Sequence, residues 1–432
     1  MLPDSTIRAD MARTLQGLTH VLSGSRQGFQ VRRVPAAAAD QWAMIDGALQ
    51  HRSRGFFSVN GVVSDAGERV LLYQPQAAVT GVVTARLGGE RLFLLQARAE
   101  PGCLGEAQFG PTVQSTPANF MRLHGGTVTP YIDAFIAFNP AVSIIDDTTQ
   151  LDLGERYLCK TKRSILVEMP EPTCAGEAFV WASLDALYEA MGQSAFLNID
   201  LRSILAVGAW SSDPDAGELS PRSQRIRQSL RAPLRADVFG KLMALLANAS
   251  LPPTFKPLNA LVNWQESEWG WFEREPRQGF SIEFYDVSAP QREVQRWLQP
   301  LVNSGSEGAV VLAARERAGV LEFYVRAVAE TGFSSRRAIA PSYVRYPGAA
   351  DERPDWLSAP AARVLSSTTE SDEGGRFYRD VSRYEIVEVD GDAPPYDEGV
   401  WLRLAELKLV LRTSNLCMIQ LRGVTSQLLV AP

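Results

Sequence analysis

The sequence Trp181-Ala-Ser-Leu184, followed by Asn198-Ile-Asp-Leu-Arg202, has a counterpart 220 positions further along the chain. The counterpart reads Trp401-Leu-Arg-Leu404 and then Met418-Ile-Gln-Leu-Arg422. An internal match at a constant offset indicates a repeated unit, and it decides how the rest of a sequence is divided. The same offset relates four further pairs: Gly154 and Gly374, Arg156 and Arg376, Arg163 and Arg383, and Glu168 and Glu388.

The match continues towards the N-terminus at a slightly larger offset. Gln74-Pro75 corresponds to Gln299-Pro300 at an offset of 225. At an offset of 230, four more residues have counterparts: Glu100 and Glu330, Gly102 and Gly332, Pro111 and Pro341, and Pro117 and Pro347. Insertions and deletions in loops produce such drift. The sequence therefore predicts an internal duplication, with one module in residues 1–215, including an N-terminal helix, and a second in residues 236–432.

The segment between the predicted modules, residues 216–235, is rich in arginine. A run of like charges is typical of a solvated linker or helix face, which is the interpretation that we favour. An arginine-rich face can also bind phosphate groups. The arginines are Arg222, Arg225, Arg227, Arg231 and Arg235.

Each module combines strand and helix patterns. Residues 56–75 alternate like two strands around a turn at Asp65-Ala-Gly67, and residues 79–100 predict a hairpin at Gly88-Gly89. Apolar residues recur at helical spacing in 181–193 and again in ADVFGKLMALLANAS of the second module. The sequence thus predicts an α+β fold with mixed or antiparallel sheets and flanking helices. It has neither a GxGxxG nor a GxxxxGK[ST] motif, which disfavours a dinucleotide fold or a P-loop.

The composition of the 432 residues narrows the class of protein. The apolar share of 45% and the charged share of 21% are those of an ordinary globular protein, and the net charge of −6 disfavours a nucleic-acid partner. The start MLPDSTIRAD lacks the apolar core of a signal peptide, and no apolar run is long enough to span a membrane. The four cysteines form no CxxC pair, which disfavours a disulfide framework or a zinc site. We therefore expect a cytoplasmic protein.

Four segments together resemble a known family. They are His51-Arg-Ser-Arg-Gly-Phe-Phe-Ser-Val59, Gln96-Ala-Arg-Ala-Glu-Pro-Gly102, Pro111-Thr-Val-Gln-Ser-Thr116 and Glu373-Gly-Gly-Arg-Phe-Tyr378. The family is that of the NDP-hexose 2,3-dehydratases of deoxysugar biosynthesis, and the resemblance covers nearly the whole chain. It implies two tandem Nudix-like modules, a homodimer, and pockets for a dTDP sugar, one of which can be a remnant of the duplication.

The resemblance also implies a reaction, that of a carbon–oxygen lyase acting on dTDP-4-keto-6-deoxy-D-glucose. A base removes the C3 proton, which the adjacent C4 ketone acidifies, and the C2 hydroxyl then leaves with help from an acid. The product, a dTDP-3,4-diketo-2,6-dideoxyhexose, is labile, and an NADPH-dependent 3-ketoreductase is expected to consume it. The elimination itself needs no cofactor.

Such a site needs a base of tuned pKa, a donor for the developing oxyanion and an acid for the leaving group. His51 and His124 lie in motifs of the first copy and have no histidine counterpart in the second. Either histidine can serve as acid or base, and either can equally be structural. Glu100 is a third candidate, although its repetition as Glu330 also fits a structural role at the turn that follows.

Candidate substrate-binding residues come from three chemical classes. Neutral polar groups suit sugar hydroxyls, arginines match diphosphate oxygens, and aromatic rings can stack on thymine. For the arginines a buried structural ion pair is an equal alternative, and for the aromatic residues core packing is the more common role. The candidates are Arg52, Ser53, Phe57, Gln74, Gln96, Thr112, Gln114, Thr116, Asn119, Arg156, Arg202, Arg376 and Tyr378.

Two departures from the family pattern bear on which copy holds the active pocket. The second copy reads Pro341-Ser-Tyr-Val-Arg-Tyr346 where the family usually has a PTVQ-like run, so we infer that the first copy holds the site. Conversely, the first copy reads Leu151-Asp-Leu-Gly154 where the family usually has Ser-Glu-x-Gly, and the second keeps Ser371-Asp-Glu-Gly-Gly375. Either copy can therefore be the impaired one.

Other functions are less well supported by the sequence. A Nudix hydrolase requires a helix with an REx₂EE-type glutamate cluster to hold Mg²⁺, and neither copy contains one. A serine hydrolase would need a GxSxG elbow, which is absent. The alternative that we keep is a catalytically inactive nucleotide-sugar-binding homologue that acts with a partner enzyme.

Overall fold

The computed structural model describes residues 11–123, 125, 127–137, 139–173, 176–208, 221–247, 251–290, 292, 294–390 and 399–429. The α-helices are α1 (Leu15–Ser25), α2 (Pro117–Phe120), α3 (Asp133–Ile136), α4 (Leu184–Met191), α5 (Ile199–Gly208), α6 (Pro221–Leu230), α7 (Ala236–Leu246), α8 (Leu404–Arg412) and α9 (Ile419–Ser426). Short 3₁₀ helices lie at Ala36–Ala38, Leu258–Ala260, Asp355–Leu357 and Gln427–Leu429.

The strands divide into those before and those after α6. The first set is β1 (Met11–Ala12), β2 (Gln30–Arg33), β3 (Trp42–Ile45), β4 (Ala48–His51), β5 (Ser58–Ser64), β6 (Gly67–Tyr73), β7 (Ala78–Leu87), β8 (Glu90–Ala99), β9 (Ala107–Gly110), β10 (Val113–Ser115), β11 (Ser143–Leu151), β12 (Tyr157–Leu158), β13 (Thr161–Glu168) and β14 (Phe179–Ser183). The second set is β15 (Thr254–Lys256), β16 (Trp264–Ser267), β17 (Gly270–Glu273), β18 (Ser281–Ser288), β19 (Arg296–Asn303), β20 (Glu307–Arg317), β21 (Val320–Ala329), β22 (Arg337–Ala340), β23 (Tyr343–Arg345), β24 (Arg363–Ser371), β25 (Val381–Glu388) and β26 (Gly399–Arg403).

One large mixed sheet dominates each half of the chain. In the first half the strand order is β1-β14-β8-β7-β13-β11, with β9 also on β8 and β10 also on β7. In the second half it is β22-β21-β20-β25-β24, with β26 also on β21 and β23 also on β20. In each sheet the central parallel pair, β7–β13 or β20–β25, is flanked by antiparallel pairs. The predicted α+β class with mixed sheets and flanking helices is confirmed.

Two smaller sheets exchange a strand between the halves. The first-half sheet, β12-β6-β5-β4-β3, receives β15 along β5, and the second-half sheet, β16-β17-β18-β19, receives β2 along β18. Both added strands are antiparallel to their partners, with Thr254 opposite Val63 and Arg33 opposite Tyr285. Backbone hydrogen bonds thus cross between the halves in both directions, and neither small sheet is complete without the other half.

Paired glycines bring the halves together at two further points. The Gly102 N–H donates to the Gly374 carbonyl at 2.8 Å, and the Gly332 N–H donates to the Gly154 carbonyl at 2.9 Å. A Cβ atom at Gly102 would lie 1.8 Å from the Glu373 carbonyl oxygen, so no larger residue fits there. This close approach of the backbones explains why these four glycines recur at matching positions in the sequence.

The largest apolar core among the described residues runs through both halves. It includes Leu95, Leu205, Leu312 and Leu421, and helices α5 and α9 pack on each other within it. Nearly every residue of α5 is buried, including Asp200 and Arg202, whose charges are paired with Lys162 and Glu370. The core therefore fixes the relative position of the two large sheets, and with it the groups that face the space between the halves.

Most local predictions agree with the structure. The turn after Ser64 joins β5 to β6, and Gly88-Gly89 joins β7 to β8 with positive φ at both glycines. The segment 181–193 forms α4 only from Leu184, because the preceding residues complete β14 and Ser183 then caps the helix. In the arginine-rich segment, α6 packs against β21 and α8. Among the described residues, no helix combines the length and apolar character that a membrane crossing requires.

Candidate active site

A cavity of about 410 Å³ opens between the two halves. The first half contributes the ends of its small sheet, the start of β13 and the run from Gln114 to Asn119. The second half contributes Arg292, the start of β19 and the loop from Glu373 to Arg376. A concave site of this size, with apolar walls and a few convergent polar groups, is typical of small-ligand binding.

Four charged side chains, named here the lysine cluster, are buried at this cavity: Asp152, Lys160, Lys162 and Asp200. The two lysines lie two residues apart at the start of β13, so they face the same side of the sheet. Lys160 Nζ lies 3.1 Å and Lys162 Nζ 3.2 Å from Asp152 Oδ2. Lys162 Nζ also donates to Asp200 Oδ1 at 2.8 Å. Mutual pairing is what allows these charges to be buried.

The two lysines are tuned in opposite directions. Burial lowers the pKa of Lys160 to about 8, with Arg376 and Lys162 adding to the effect and Asp152 opposing it. Burial also disfavours the charge of Lys162, but Asp152 and Asp200 outweigh it and raise the pKa of that lysine above its usual range. Lys162 is therefore a permanent cation, whereas Lys160 can exchange a proton near neutral pH.

Glu100 lies on the cavity wall between two arginines. Its Oε1 accepts hydrogen bonds from Arg98 Nη2 at 3.0 Å and from Arg292 Nη1 at 2.8 Å. Burial alone would raise the pKa of Glu100, but the two guanidinium groups outweigh it and hold the pKa at about 2. So acidic a carboxyl is a weak base, and the geometry supports a role in positioning the two arginines rather than in removing a proton.

A second-half arginine reaches into the cavity of the first half. Arg376 donates through Nη2 to Gln74 Oε1 at 2.5 Å, and its guanidinium lies 5.3 Å from the Phe57 ring centre. Glu373 Oε1 lies 3.4 Å from Arg376 Nη1. Gln299 donates to the Gly375 carbonyl at 2.6 Å and so holds the same loop.

His51 is packed against aromatic rings on the lining. Its ring lies edge-on to Trp42 and Phe56, at centre distances of 5.6 and 4.8 Å. Partial burial lowers the pKa of His51 below its usual value. The backbone N–H of Ser53 donates to His51 Nδ1 at 3.2 Å, so the neutral ring carries its hydrogen on Nε2. In this state His51 presents a donor.

Nine residues that the sequence analysis proposed line the cavity together. They are His51, Ser53, Phe57, Gln74, Glu100, Gln114, Thr116, Asn119 and Arg376. Gln114 is held by Asn198, whose side-chain amide donates to Gln114 Oε1 at 2.9 Å, and Thr116 precedes α2. His124, the third proposed catalytic residue, lies outside the described residues.

Three other proposed residues from the first half do not line the cavity themselves, although Gln96 contacts the lining residue Arg98. Arg52 donates through Nε to the Asp40 carbonyl at 2.7 Å on the surface. Gln96 accepts from Arg98 Nη1 at 2.6 Å. The buried Thr112 hydroxyl accepts from the Val83 N–H at 2.9 Å and donates to the Leu94 carbonyl, so it joins β7 to β8.

Arg156, Arg202 and Tyr378 also lie off the lining. Arg202 is fully buried, with Nη2 at 2.7 Å from Glu370 Oε1, which is the structural ion pair that the sequence left open. Tyr378 stacks on Tyr285 at a centre distance of 4.4 Å. Arg156 donates to the Pro347 carbonyl at 2.8 Å. These contacts give each side chain a structural partner instead of a place at the cavity.

The sequence analysis missed the lysine cluster, together with Arg98, Arg292 and Glu373. A signal for the lysines was present, because the positions matching Lys160 and Lys162 at the offset of 220 are Asp380 and Ser382. Strand registers agree, since Lys162 lies opposite Ala78 and Ser382 lies opposite Gly308. A search for differences between the copies, rather than for shared residues, would have found them.

Comparison with known proteins identifies the family of the chain. The model of the NDP-hexose 2,3-dehydratase family matches residues 16–207 and 242–428. Three relatives are each named dTDP-4-dehydro-6-deoxy-alpha-D-glucopyranose 2,3-dehydratase. The protein from Streptomyces violaceoruber is 29% identical, over 92% of this chain and 93% of its own length. That from Amycolatopsis orientalis is 28% identical, over 91% and 85%, and that from Saccharopolyspora spinosa 26%, over 93% and 88%. The chain belongs to the NDP-hexose 2,3-dehydratase family.

Proposed function

We propose that the protein is a dTDP-4-keto-6-deoxy-D-glucose 2,3-dehydratase, a carbon–oxygen lyase of deoxysugar biosynthesis. The observation that carries the proposal is the cavity between the halves, which combines buried ionisable groups with aromatic and neutral polar walls in a chain of this family. A buried lysine at the cavity wall, with a pKa lowered to about 8, favours an enzyme over an inactive binding protein.

The cavity offers a partner for each part of the substrate. Arg98, Arg292 and Arg376 supply cations for the diphosphate, and Trp42 and Trp297 supply apolar surface for the thymine ring. Neutral groups from Gln114 to Asn119 suit the sugar hydroxyls and the C4 carbonyl. Removal of the C3 proton places negative charge on the C4 oxygen, and the buried cations of the site stabilise that charge.

The organisation around the site is part of the same proposal. We assign residues 1–215 and 236–432 to two tandem Nudix-like modules that arose by duplication, joined by residues 216–235, and we propose a homodimer. The shared strand order of the two large sheets supports the duplication. The diketo product is reactive, so the class of enzyme expected to consume it is an NADPH-dependent 3-ketoreductase.

The test is incubation of the purified protein with dTDP-4-keto-6-deoxy-D-glucose. Without a reductase we expect release of dTDP and maltol. With a 3-ketoreductase and NADPH we expect a dTDP-2,6-dideoxy-4-keto sugar instead. Unchanged substrate in both reactions, from protein that binds dTDP in a calorimeter, would overturn the dehydratase and favour the binding homologue.

A further inference from the structure

Several side chains on the described cavity lining can accept a proton, and they differ in the hydrogen bonds and ion pairs that they make. His51 uses Nδ1 to accept from Ser53, and Glu100 is held by two arginines. Glu373 accepts from the backbone N–H of Arg376, and Asp200 is paired with Lys162. Each of these groups already makes a hydrogen bond or an ion pair.

Lys160 differs from these groups as a base. Its Nζ is buried and has no hydrogen-bond partner among the described residues, although Asp152 Oδ2 lies 3.1 Å away. Glu100 Oε2 likewise has no hydrogen-bond partner among the described residues, but its arginines hold the pKa of Glu100 at about 2, so that carboxylate is a weak base. The Lys160 ammonium lies 3.6 Å from the centre of the Tyr157 ring. An amine that is paired with one carboxylate and lies at the wall of a cavity is positioned to exchange a proton with a bound molecule.

The charged surroundings of Lys160 come from both halves. On the first half they are Asp152 and Lys162, and on the second half they are Glu373 and Arg376. The two anions favour the charged form of Lys160 and the two cations disfavour it, so their effects oppose each other. Burial also disfavours the charge and lowers the pKa to about 8, so the amine can lose its proton near neutral pH. Lys162, paired with two aspartates, keeps its charge under the same conditions.

On the basis of the function proposed above, we propose that Lys160 is the catalytic base that removes the C3 proton and that Lys162 stabilises the resulting C4 oxyanion. The neutral amine takes the proton, and the C3–H electron pair forms the C3–C4 double bond while the carbonyl pair moves to the C4 oxygen. When the carbonyl reforms, the C2–O bond breaks and a C2–C3 double bond forms. The leaving hydroxide takes the proton back from the Lys160 ammonium and departs as water.

The test compares Lys160→Met and Lys160→Arg with the wild-type protein in single-turnover reactions with dTDP-4-keto-6-deoxy-D-glucose. Loss of a general base lowers a rate by about 10²- to 10⁴-fold, and we expect a loss of this size in both variants. Arginine keeps the positive charge beside Asp152 but cannot give up its proton, so it separates a base from a structural cation. Calorimetry with dTDP and the melting temperature establish that both variants are folded.

The pH profile supplies a second readout that a structural role would not move. We expect the wild-type single-turnover rate to rise with pH up to about 8 and then to level off, because the base must be neutral. The residual rate of Lys160→Arg should lack this rise.

The outcomes separate the two proposals. Wild-type protein that leaves the substrate intact overturns the proposed function and the role of Lys160 with it. Wild-type turnover with a Lys160→Arg variant within tenfold of the wild-type rate overturns the role of Lys160 alone. Loss of turnover in both variants, with dTDP binding retained and the pH-dependent rise abolished, supports it.

Discussion

The cavity of the first half and the corresponding region of the second half share a backbone framework but differ in what fills it. At the place of Thr116, which lines the cavity, the second half has Tyr346, whose hydroxyl donates to Glu330 Oε2 at 2.9 Å. Arg156 lies over the rings of Phe280 and Tyr346, at 4.5 and 5.1 Å from their centres. A bulky, hydrogen-bonded side chain thus stands in the second half at the position of the cavity-lining Thr116.

The buried charges differ in the same way. The first half has two lysines between two aspartates, whereas the second half has Asp372 and Asp380 with Ser382. Burial raises the pKa of Asp372 to about 7 and that of Asp380 to about 6, although Arg156 opposes both shifts. The two regions therefore differ in the side chains at matching strand positions rather than in strand order: lysines neutralise the buried aspartates of the first half, whereas the aspartates of the second half have raised pKa values.

The largest effect on stability is expected at Lys162. Lys162→Met leaves the buried Asp152 and Asp200 short of a cation, and breaking a buried pair costs about 3–5 kcal/mol. Ser382→Ala, the matched change in the second half, removes one hydrogen bond to Asp372 and should cost about 1 kcal/mol. Urea denaturation at pH 7 measures both, and equal losses would contradict the comparison.

The two matching glutamates are expected to respond to pH with opposite signs. The pKa of Glu100 falls to about 2, so its stabilisation is present above its usual value near 4.5 and is lost as the pH falls towards 2. Burial and then Glu155 raise the pKa of Glu330 to about 8, so its contribution is present below 4.5 and is lost as the pH rises through 8.

Glutamine substitutions test these signs. At pH 7 we expect Glu100→Gln to lower the free energy of unfolding by about 3 kcal/mol and Glu330→Gln to raise it. At pH 4 Glu330→Gln should differ much less from the wild-type protein, whereas Glu100→Gln should approach it only as the pH falls towards 2. Denaturant titrations at both pH values provide the measurement, and changes of the same sign at pH 7 would count against the assigned environments.

Arg376 and Arg156 occupy matching positions but only Arg376 lines the cavity. Charged hydrogen bonds contribute about 1.5–3 kcal/mol, so Arg376→Ala should weaken dTDP binding by roughly tenfold to a hundredfold. Arg156→Ala should lower the melting temperature, because it empties a buried position, and leave the affinity of the folded protein unchanged. Calorimetry with dTDP decides, and weaker binding by both variants would mean that ligand also contacts the second half's filled region.

The smallest effect is expected where the halves do not differ. Thr112 joins β7 to β8, and Ser342 joins β20 to β21 by accepting from the Ala313 N–H at 2.8 Å and donating to the Tyr324 carbonyl at 2.6 Å. Thr112→Val and Ser342→Ala should each cost about 1–2 kcal/mol, with dTDP affinity unchanged. A loss of dTDP affinity in Thr112→Val would instead indicate that Thr112 contributes to the binding site.

Sequence patterns were sufficient to predict the parts of the fold that depend on residues close together in the chain. The hairpin turns at Asp65 and Gly88, and helix α7, follow from local alternation, glycine and helical spacing. The exchange of β2 and β15 could not be predicted, because the alternation of a strand does not specify which distant strand it pairs with. The two strands are also only four and three residues long.

The sequence predicted those site residues that lie together in one continuous segment. The run from Gln114 to Asn119 reaches the cavity as one piece. The lysine cluster assembles from three separate segments, and Asp200 lies in a helix that otherwise reads as core. The sequence could not show that Glu100 is held by two arginines. One of them, Arg292, lies in the other half of the chain, and only the fold brings it within 2.8 Å.

The exchanged strands also bear on how the polypeptide is made. During synthesis from the N-terminus, the sheet that contains β5 cannot gain its last strand until the ribosome has added residues Thr254–Lys256. The edge of β5 at residues 61–63 stays without this strand until then and is open to pairing with other nascent chains. A gene split between the halves would release two products, each lacking a strand that only the other supplies.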